Sequence, residues 1–356
     1  MKDNIQLSLF YDEMVATAIE RIKKFARLSE AMGYDVCVGF SGGKDSQVVY
    51  DLCKKSGIRF TAFYNVACES SETRRFIRKN YPDVIWRQPY KVGFIKNIDV
   101  HKGMLPSVSV AYCCENYKHN PKFVDNASIL GVRKDESLAR SKRHVFESHG
   151  KRFDERNDYL ISEYFSEKCR GIGSKGDIQL MPIVDWVERD VWEYIKREEL
   201  PVNPEYQYNK RVGCMICPKA NLAGNYHHLM QCPKLIDAVI RQREKHADRV
   251  DWMITGDGKD YSDNKPLYIL RWLNHSFMPF TEKQAKLAEE ILKRYYECKI
   301  NDMTDEQLKT MTTDEANKTL SYEDKVRWAN LQNSTANLYF IKHGNIEDVP
   351  AEGWWH

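Results

Sequence analysis

"VCVGFSGGKDSQVVYDLC", residues 36–53, is the stretch whose reading decides the fold. It runs from an apolar segment through Ser41-Gly42-Gly43-Lys44-Asp45-Ser46 into a segment with Val48, Val49 and Leu52 on one side. The spacing predicts a buried strand over 34–40 and a helix over 46–55, joined by a glycine loop. Glycines there allow φ > 0 and let a ligand approach the backbone closely. The free N–H groups and dipole of a helix start attract an anion. Lys44 adds a mobile positive charge, and Ser41 and Ser46 add hydroxyls. Asp45 suits such a loop when magnesium or a substrate group accompanies the phosphate. The reading is a phosphate chain at the carboxyl end of a parallel sheet. Its bland alternative, a solvated glycine turn, fits a lone Gly-Gly better than this hexapeptide. The loop is not the Walker pattern.

Working outward, strands are expected over 59–66, 84–87 and 128–132, with helices over 71–80 and around 112–125. Strands alternating with helices imply an α/β, doubly wound, mostly parallel sheet with right-handed crossovers. The stretch 166–180, with Gly171, Gly173 and Gly176, reads as a turn or exposed hairpin. A short helix is expected over 190–196, ended by the prolines and asparagine of 200–206. From residue 235 the texture becomes that of amphipathic helices, at 235–250 and 282–297, and Thr304 with Gln307 forms a capping-box pattern. The expected division is an α/β domain over 1–234 and a mainly helical C-terminal appendage over 235–356.

Apolar residues make up 42% of the 356, enough for a core, and a net charge of +3 excludes a polycationic binder. A local basic face stays open; residues 133–156 carry a modest one, which steers a nucleotide, touches nucleic acid or is simply solvated. No run of about 18 apolar residues occurs, so no membrane span is expected. The opening MKDNIQLSLFYDEM carries acids and lacks the apolar region of a signal peptide, so a cytoplasmic protein is expected. Ten cysteines in such a chain argue for thiols, metal or catalysis rather than a disulfide scaffold. Cys37, Cys53, Cys68, Cys169 and Cys298 stand alone and read as small buried hydrophobes. Cys113-Cys114, Cys214-x-x-Cys217 and Cys232 are grouped. Zinc, an iron–sulfur cluster, a redox pair and unconnected buried thiols are all open for them.

"GVRKDESLARSKR", residues 131–143, follows the fourth expected strand. Arg133, Arg140 and Arg143 suit oxyanions, because guanidinium binds them as a fork, and Glu136 suits the orientation of one of them. A solvated charged helix is the alternative.

The loop 41–46 resembles the PP-loop of the adenine-nucleotide α-hydrolase superfamily. The order strand–GVR–ES–R and the later "PIVDWVERDVWEYIKREELPVNPEY" (182–206) resemble reductases of adenylylsulfate (APS) and phosphoadenylylsulfate (PAPS). So does CC-x-x-x-K-x-x-P followed about a hundred residues later by G-C-x-x-C. The resemblance covers roughly 35–220. It implies that Ser41, Gly42, Gly43, Lys44, Asp45 and Ser46 cradle phosphates, with Lys44, Asp45, Arg133 and Arg140 catalytic and Glu136 and Lys118 beside the nucleotide. It also implies a 4Fe–4S cluster on Cys113, Cys114, Cys214 and Cys217, with Cys232 as alternative to Cys113 or Cys114 and zinc as alternative metal. Asp190, Trp192 and Tyr194 are expected to be structural. The ligand is then ATP with Mg2+, or APS or PAPS. Two departures bear on the choice. Such reductases attack with a cysteine in a C-terminal tail, and "EDVPAEGWWH" has none; and the full SGGKDS is that of ATP-hydrolysing relatives.

The expectation is therefore a PP-loop enzyme that releases pyrophosphate from ATP for sulfur chemistry, with a sulfur donor as partner and nucleic acid among its acceptors. One alternative is a sulfite-releasing reductase served by a thioredoxin-like reductant. Another is a binding module without turnover, in which His227, His228, Trp252, Tyr268, Trp272, Trp354 and Trp355 stack on bases; packing is the commoner role of such residues. No membrane partner is expected, and a homo-oligomer is left open.

Overall fold

The structure is a computed structural model that describes residues 2–118, 127–149, 170–171, 177–248, 253, 258–274, 279–301, 303–312, 315, 316, 320, 325, 328 and 331. The elements run α1 (Lys2–Ala31), β1 (Val36–Gly39), α2 (Lys44–Ser56), β2 (Thr61–Asn65), α3 (Ser71–Asn80), β3 (Ile85–Arg87), α4 (Phe94–Val100) and α5 (Tyr112–Tyr117). They continue β4 (Ala127–Ile129), β5 (Phe146–His149), β6 (Arg170–Gly171), β7 (Asp177–Leu180), α6 (Glu188–Arg197), α7 (Asn221–Gln231), α8 (Lys234–Glu244), α9 (Lys265–Leu273), α10 (Glu282–Asn301) and α11 (Asp305–Lys309).

By packing the chain divides into two units, Met1–Gly93 with Tyr112–Cys214, and Phe94–Ala111 with Met215–His356. The first is an α/β sheet in the order β3-β2-β1-β4-β7-β5-β6. Its pairs are parallel except β5 against β7. One row of the sheet, Ala62, Val38, Ile129, Leu180 and Phe146, is in register and buried. Ala18, Ile22, Phe25 and Leu28 of α1 recur at helical spacing and are buried in the same core, where Phe25 meets Phe146. The doubly wound fold expected from the alternation is present. Because β2 and β4 flank β1, the winding reverses at β1, and a crevice opens beyond the carboxyl ends of β1 and β4.

The stretch expected as a turn or hairpin, 166–180, ends instead in β7, an interior strand. The three glycines hid a four-residue strand whose inward residues are only Ile178 and Leu180. Strand β5 also went unread, since a charged run precedes it. The latter part of the helical stretch expected around 112–125 lies outside the described residues.

The second unit is helical. Segment 94–111 packs within it: Arg243 donates to the Gly103 carbonyl (2.8 Å) and the Trp272 indole to that of Pro106 (2.6 Å). Trp272 is thus a packing residue; Trp252, Trp354 and Trp355 lie outside the described residues. The capping box at Thr304 and Gln307 is formed in both directions. No described helix is long and apolar enough to cross a membrane.

Candidate functional site

The loop between β1 and α2 lies in the crevice where the winding reverses. Gly42 has φ +73°, a conformation side chains disfavour, and a Cβ there would press on Ile77. The loop's polar atoms hold one another. Ser41 N donates to Ser46 Oγ (3.1 Å), Ser46 Oγ to the Gly43 carbonyl (2.8 Å), and Gly43 N to Ser41 Oγ (3.3 Å). The Gly42 carbonyl accepts from Gln47 Nε2 (3.3 Å) and Asn203 Nδ2 (3.0 Å). Helix α2 starts at Lys44, so the N–H groups of its first turn lack intrahelical acceptors. One of them, Lys44 N, donates to Tyr206 Oη (2.8 Å). Burial pushes the Tyr206 phenol well above its ordinary value.

The Lys44 side chain is only 7% exposed. Its ammonium lies 3.6 Å from Asp45 Oδ2 and 3.4 Å from Glu188 Oε1, and it faces the rings of Trp192 and Tyr206 at 5.9 and 5.5 Å. Asp45 turns its other oxygen to Arg133, whose Nε donates at 2.5 Å. The Arg133 Nη1 donates to Asp135, and the second oxygen of Asp135 accepts from Glu188 N (2.9 Å). Burial favours the neutral form of Arg133, but the charges of Asp45 and Asp135 outweigh it and hold its pKa above the ordinary value. Gly131 makes this junction fit: a Cβ there would come within 2.8 Å of the Asp45 carbonyl carbon and oxygen.

The structure thus brings Ser41 to Ser46 and Arg133 together. Arg133 is committed to Asp45 and Asp135. Glu136 accepts from Arg133 N (3.1 Å) and pairs with Arg140, which is half-exposed on the surface. Arg143 turns to the sheet, beside Glu147 (3.1 Å) and Gln179 (3.2 Å). Lys118 is exposed just after α5. Sequence reading missed Tyr206, Asn203 and Glu188 and took Trp192 as structural. The Asn-Pro turn with Asn203 as cap of Pro204–Gln207 was the available signal for the first two.

A second patch adjoins the loop. In register, Gly39 pairs with Phe63 and Asn65 with Arg87, so these four share one sheet face. Gly39 is exposed, the Arg87 guanidinium lies over the Phe63 ring, and Asn65 Oδ1 is buried with no hydrogen-bond partner among the described residues. A groove of about 1100 Å³ runs from the amino ends of β1 and β2 up to Phe63 and Arg87; it does not reach the loop.

A family model described as the phosphoadenosine phosphosulfate reductase domain matches residues 35–220. The chain belongs to that family. The matched domain therefore contains the loop, the 131–143 segment and both cysteine pairs. The chain is 29% identical over 240 residues to an uncharacterized protein of Methanocaldococcus jannaschii, covering 62% of this chain and 45% of that one. It is 28% identical over 136 residues to a sulfate adenylyltransferase subunit 2 of Bacteroides thetaiotaomicron (37% and 40% covered). It is 25% identical over 113 residues to one of Rhizobium meliloti (32% and 36%). The chain spans less than half the length of each of these relatives.

The grouped cysteines are half-buried at 113, 114, 214 and 217, and exposed at 232. Cys113 and Cys114 lie on α5, and Cys214 forms an isolated backbone bridge with Glu69. Cys217 belongs to the second unit, its N–H and carbonyl both bonded to Asn225 (2.8 and 2.9 Å). Among the described residues, no three His, Cys, Asp or Glu side chains are arranged to hold a metal ion. The carboxylates nearest the loop, Asp45, Asp135 and Glu188, are turned to Arg133 and Lys44.

Proposed function

We propose that this chain binds ATP at the loop 41–46 and adenylylates an acceptor, releasing pyrophosphate, for sulfur chemistry. The observation that carries the reading is the anion-ready loop, with its buried lysine, at the point where the sheet's winding reverses. The likeness to sulfate adenylyltransferase subunits supports it, and the words "subunit 2" suggest a partner chain. In this reading an acceptor oxygen attacks the α-phosphorus, the bond to the bridging oxygen of the β-phosphate breaks, and that oxygen leaves on pyrophosphate. Lys44 and the first-turn N–H groups hold the phosphates and stabilise the charge that develops. Magnesium, arriving on the phosphates, supplies charge neutralisation when bound. A sulfur donor then displaces AMP from the activated acceptor.

The assay is pyrophosphate release from ATP and Mg2+ with sulfate or transfer RNA as acceptor, set against sulfite release from APS or PAPS with thioredoxin. Pyrophosphate that depends on acceptor supports the reading. Sulfite without pyrophosphate replaces it with the reductive one, in which a thiolate takes the sulfonate group. The adenylylation reading does not use the cysteine set, which we keep as a separate proposal of cluster ligation. Anaerobic purification with iron, acid-labile sulfide and zinc analysis tests it: iron and sulfide in equal amounts are expected, and their absence removes the cluster.

The base of the nucleotide is assigned in this reading to the patch beside the loop. Leu130 and Arg87 cover Gly39 and the Phe63 ring, so in this reading the base enters by displacing them, and Asn65 Oδ1 accepts from the 6-amino group of adenine, where guanine presents an oxygen. Asn65→Leu is expected to reduce the preference for ATP over GTP about 3- to 10-fold, the range of one neutral hydrogen bond. Competition binding of the two nucleotides reads it, and an unchanged ratio removes Asn65 from base recognition.

A further inference from the structure

We propose that Glu188 is a positioning residue that holds the Lys44 ammonium in place and competes with the incoming phosphate for it. The inference rests on the reading that Lys44 meets the phosphates. A buried ammonium needs a charge partner. Of the two carboxylates beside Lys44, Asp45 is already bonded to Arg133 through its other oxygen, and its side chain is 14% exposed. Glu188 is different. Its side chain is 60% exposed, while its backbone is pinned through Glu188 N to Asp135. The carboxylate can therefore swing into solvent with no movement of α6.

The frame that presents it is rigid. Asp190 Oδ2 caps α6 by accepting from Val187 N (2.9 Å). Glu188 and Trp192 lie one turn apart on one face of α6, so one helix face supplies both the counter-charge and an aromatic wall for Lys44. Tyr206 adds a second ring on the same side of the ammonium, edge-on against Trp192, with ring centroids 5.1 Å apart. A phosphate oxygen arriving at Lys44 takes the place of Glu188 Oε1, and the ammonium exchanges one anion for another without leaving its surroundings. The carboxylate thus keeps the lysine ready, and its displacement lowers the affinity for every anionic ligand of the loop.

The test is a binding cycle on the full chain with Glu188→Gln, Lys44→Ala and the double variant, using ATP, inorganic tripolyphosphate and adenosine as probes. Glu188→Gln is expected to bind ATP and tripolyphosphate roughly three- to fivefold more tightly, the size of an exposed ion pair removed from competition. Adenosine, which brings no anion, is expected to bind as before, and Glu188→Asp to restore the original affinity for ATP. In the Lys44→Ala background the effect of Glu188→Gln is expected to vanish. Weaker or unchanged binding of ATP and tripolyphosphate by Glu188→Gln overturns the proposal, as does a gain that persists without Lys44. If Lys44→Ala itself leaves ATP affinity unchanged, it is the phosphate-loop reading that fails.

Discussion

Lys44→Ala is expected to weaken ATP binding about 100-fold, the value of a charged hydrogen bond to a phosphate in a site shielded from water. The backbone part of the cradle survives this change. Gly42 keeps its left-handed turn, Lys44 N still reaches Tyr206, and the start of α2 keeps its dipole. What is lost is a cation at the loop whose carboxylate partner Glu188 can be displaced. The alternative explanation, collapse of the loop, is checked by thermal unfolding: Asp45 retains Arg133 in the variant, so the midpoint should hold. Titration by calorimetry reads the affinity, and a loss smaller than about threefold would mean that the phosphates do not lie against Lys44.

The other large effect is on stability. Arg133→Ala is expected to cost about 3 kcal/mol, the lower end for a broken buried pair, because a largely buried Asp45 keeps only Lys44, 3.6 Å away. The Arg133 side chain is 3% exposed, and it ties the loop after β4 both to α2, through Asp45, and to the start of α6, through Asp135. Asp45→Asn in the Arg133→Ala background removes the under-compensated charge and should recover part of the loss, whereas two independent defects would add. Urea unfolding of the single and double variants measures both. A single variant within about 0.5 kcal/mol of the parent would reduce the pair to a surface contact. The pair resists alkali: the Arg133 pKa is raised above an already high value, so on the alkaline side its contribution disappears only in strong base.

These two expectations show where the sequence was legible and where it was not. The glycine loop, the start of α2 and the strand before it were readable because each depends on residues a few positions apart. The periodicities of α3 and α6 were readable for the same reason. Arg133 does lie beside the loop, but its geometry is that of an internal clamp. A guanidinium binds a carboxylate with the same fork as a phosphate, so residue type alone does not separate the two. Strand β7 was hidden because only Ile178 and Leu180 carry its pattern. The cysteine spacing suggested a cradle, but the described residues bring no metal-holding group together.

The sequence by itself determined the α/β alternation, the phosphate-type loop and its place between a strand and a helix, since backbone sterics and helix-end hydrogen bonding are local. Only the tertiary structure decided that Tyr206 receives Lys44 N, that Asn203 holds the Gly42 carbonyl, and that Glu188 and Arg133 take up the loop's two charges. Those partners lie 162, 161 and 88 positions apart in the hydrogen-bonded cases, and no local pattern encodes which distant groups the sheet order will bring to one crevice.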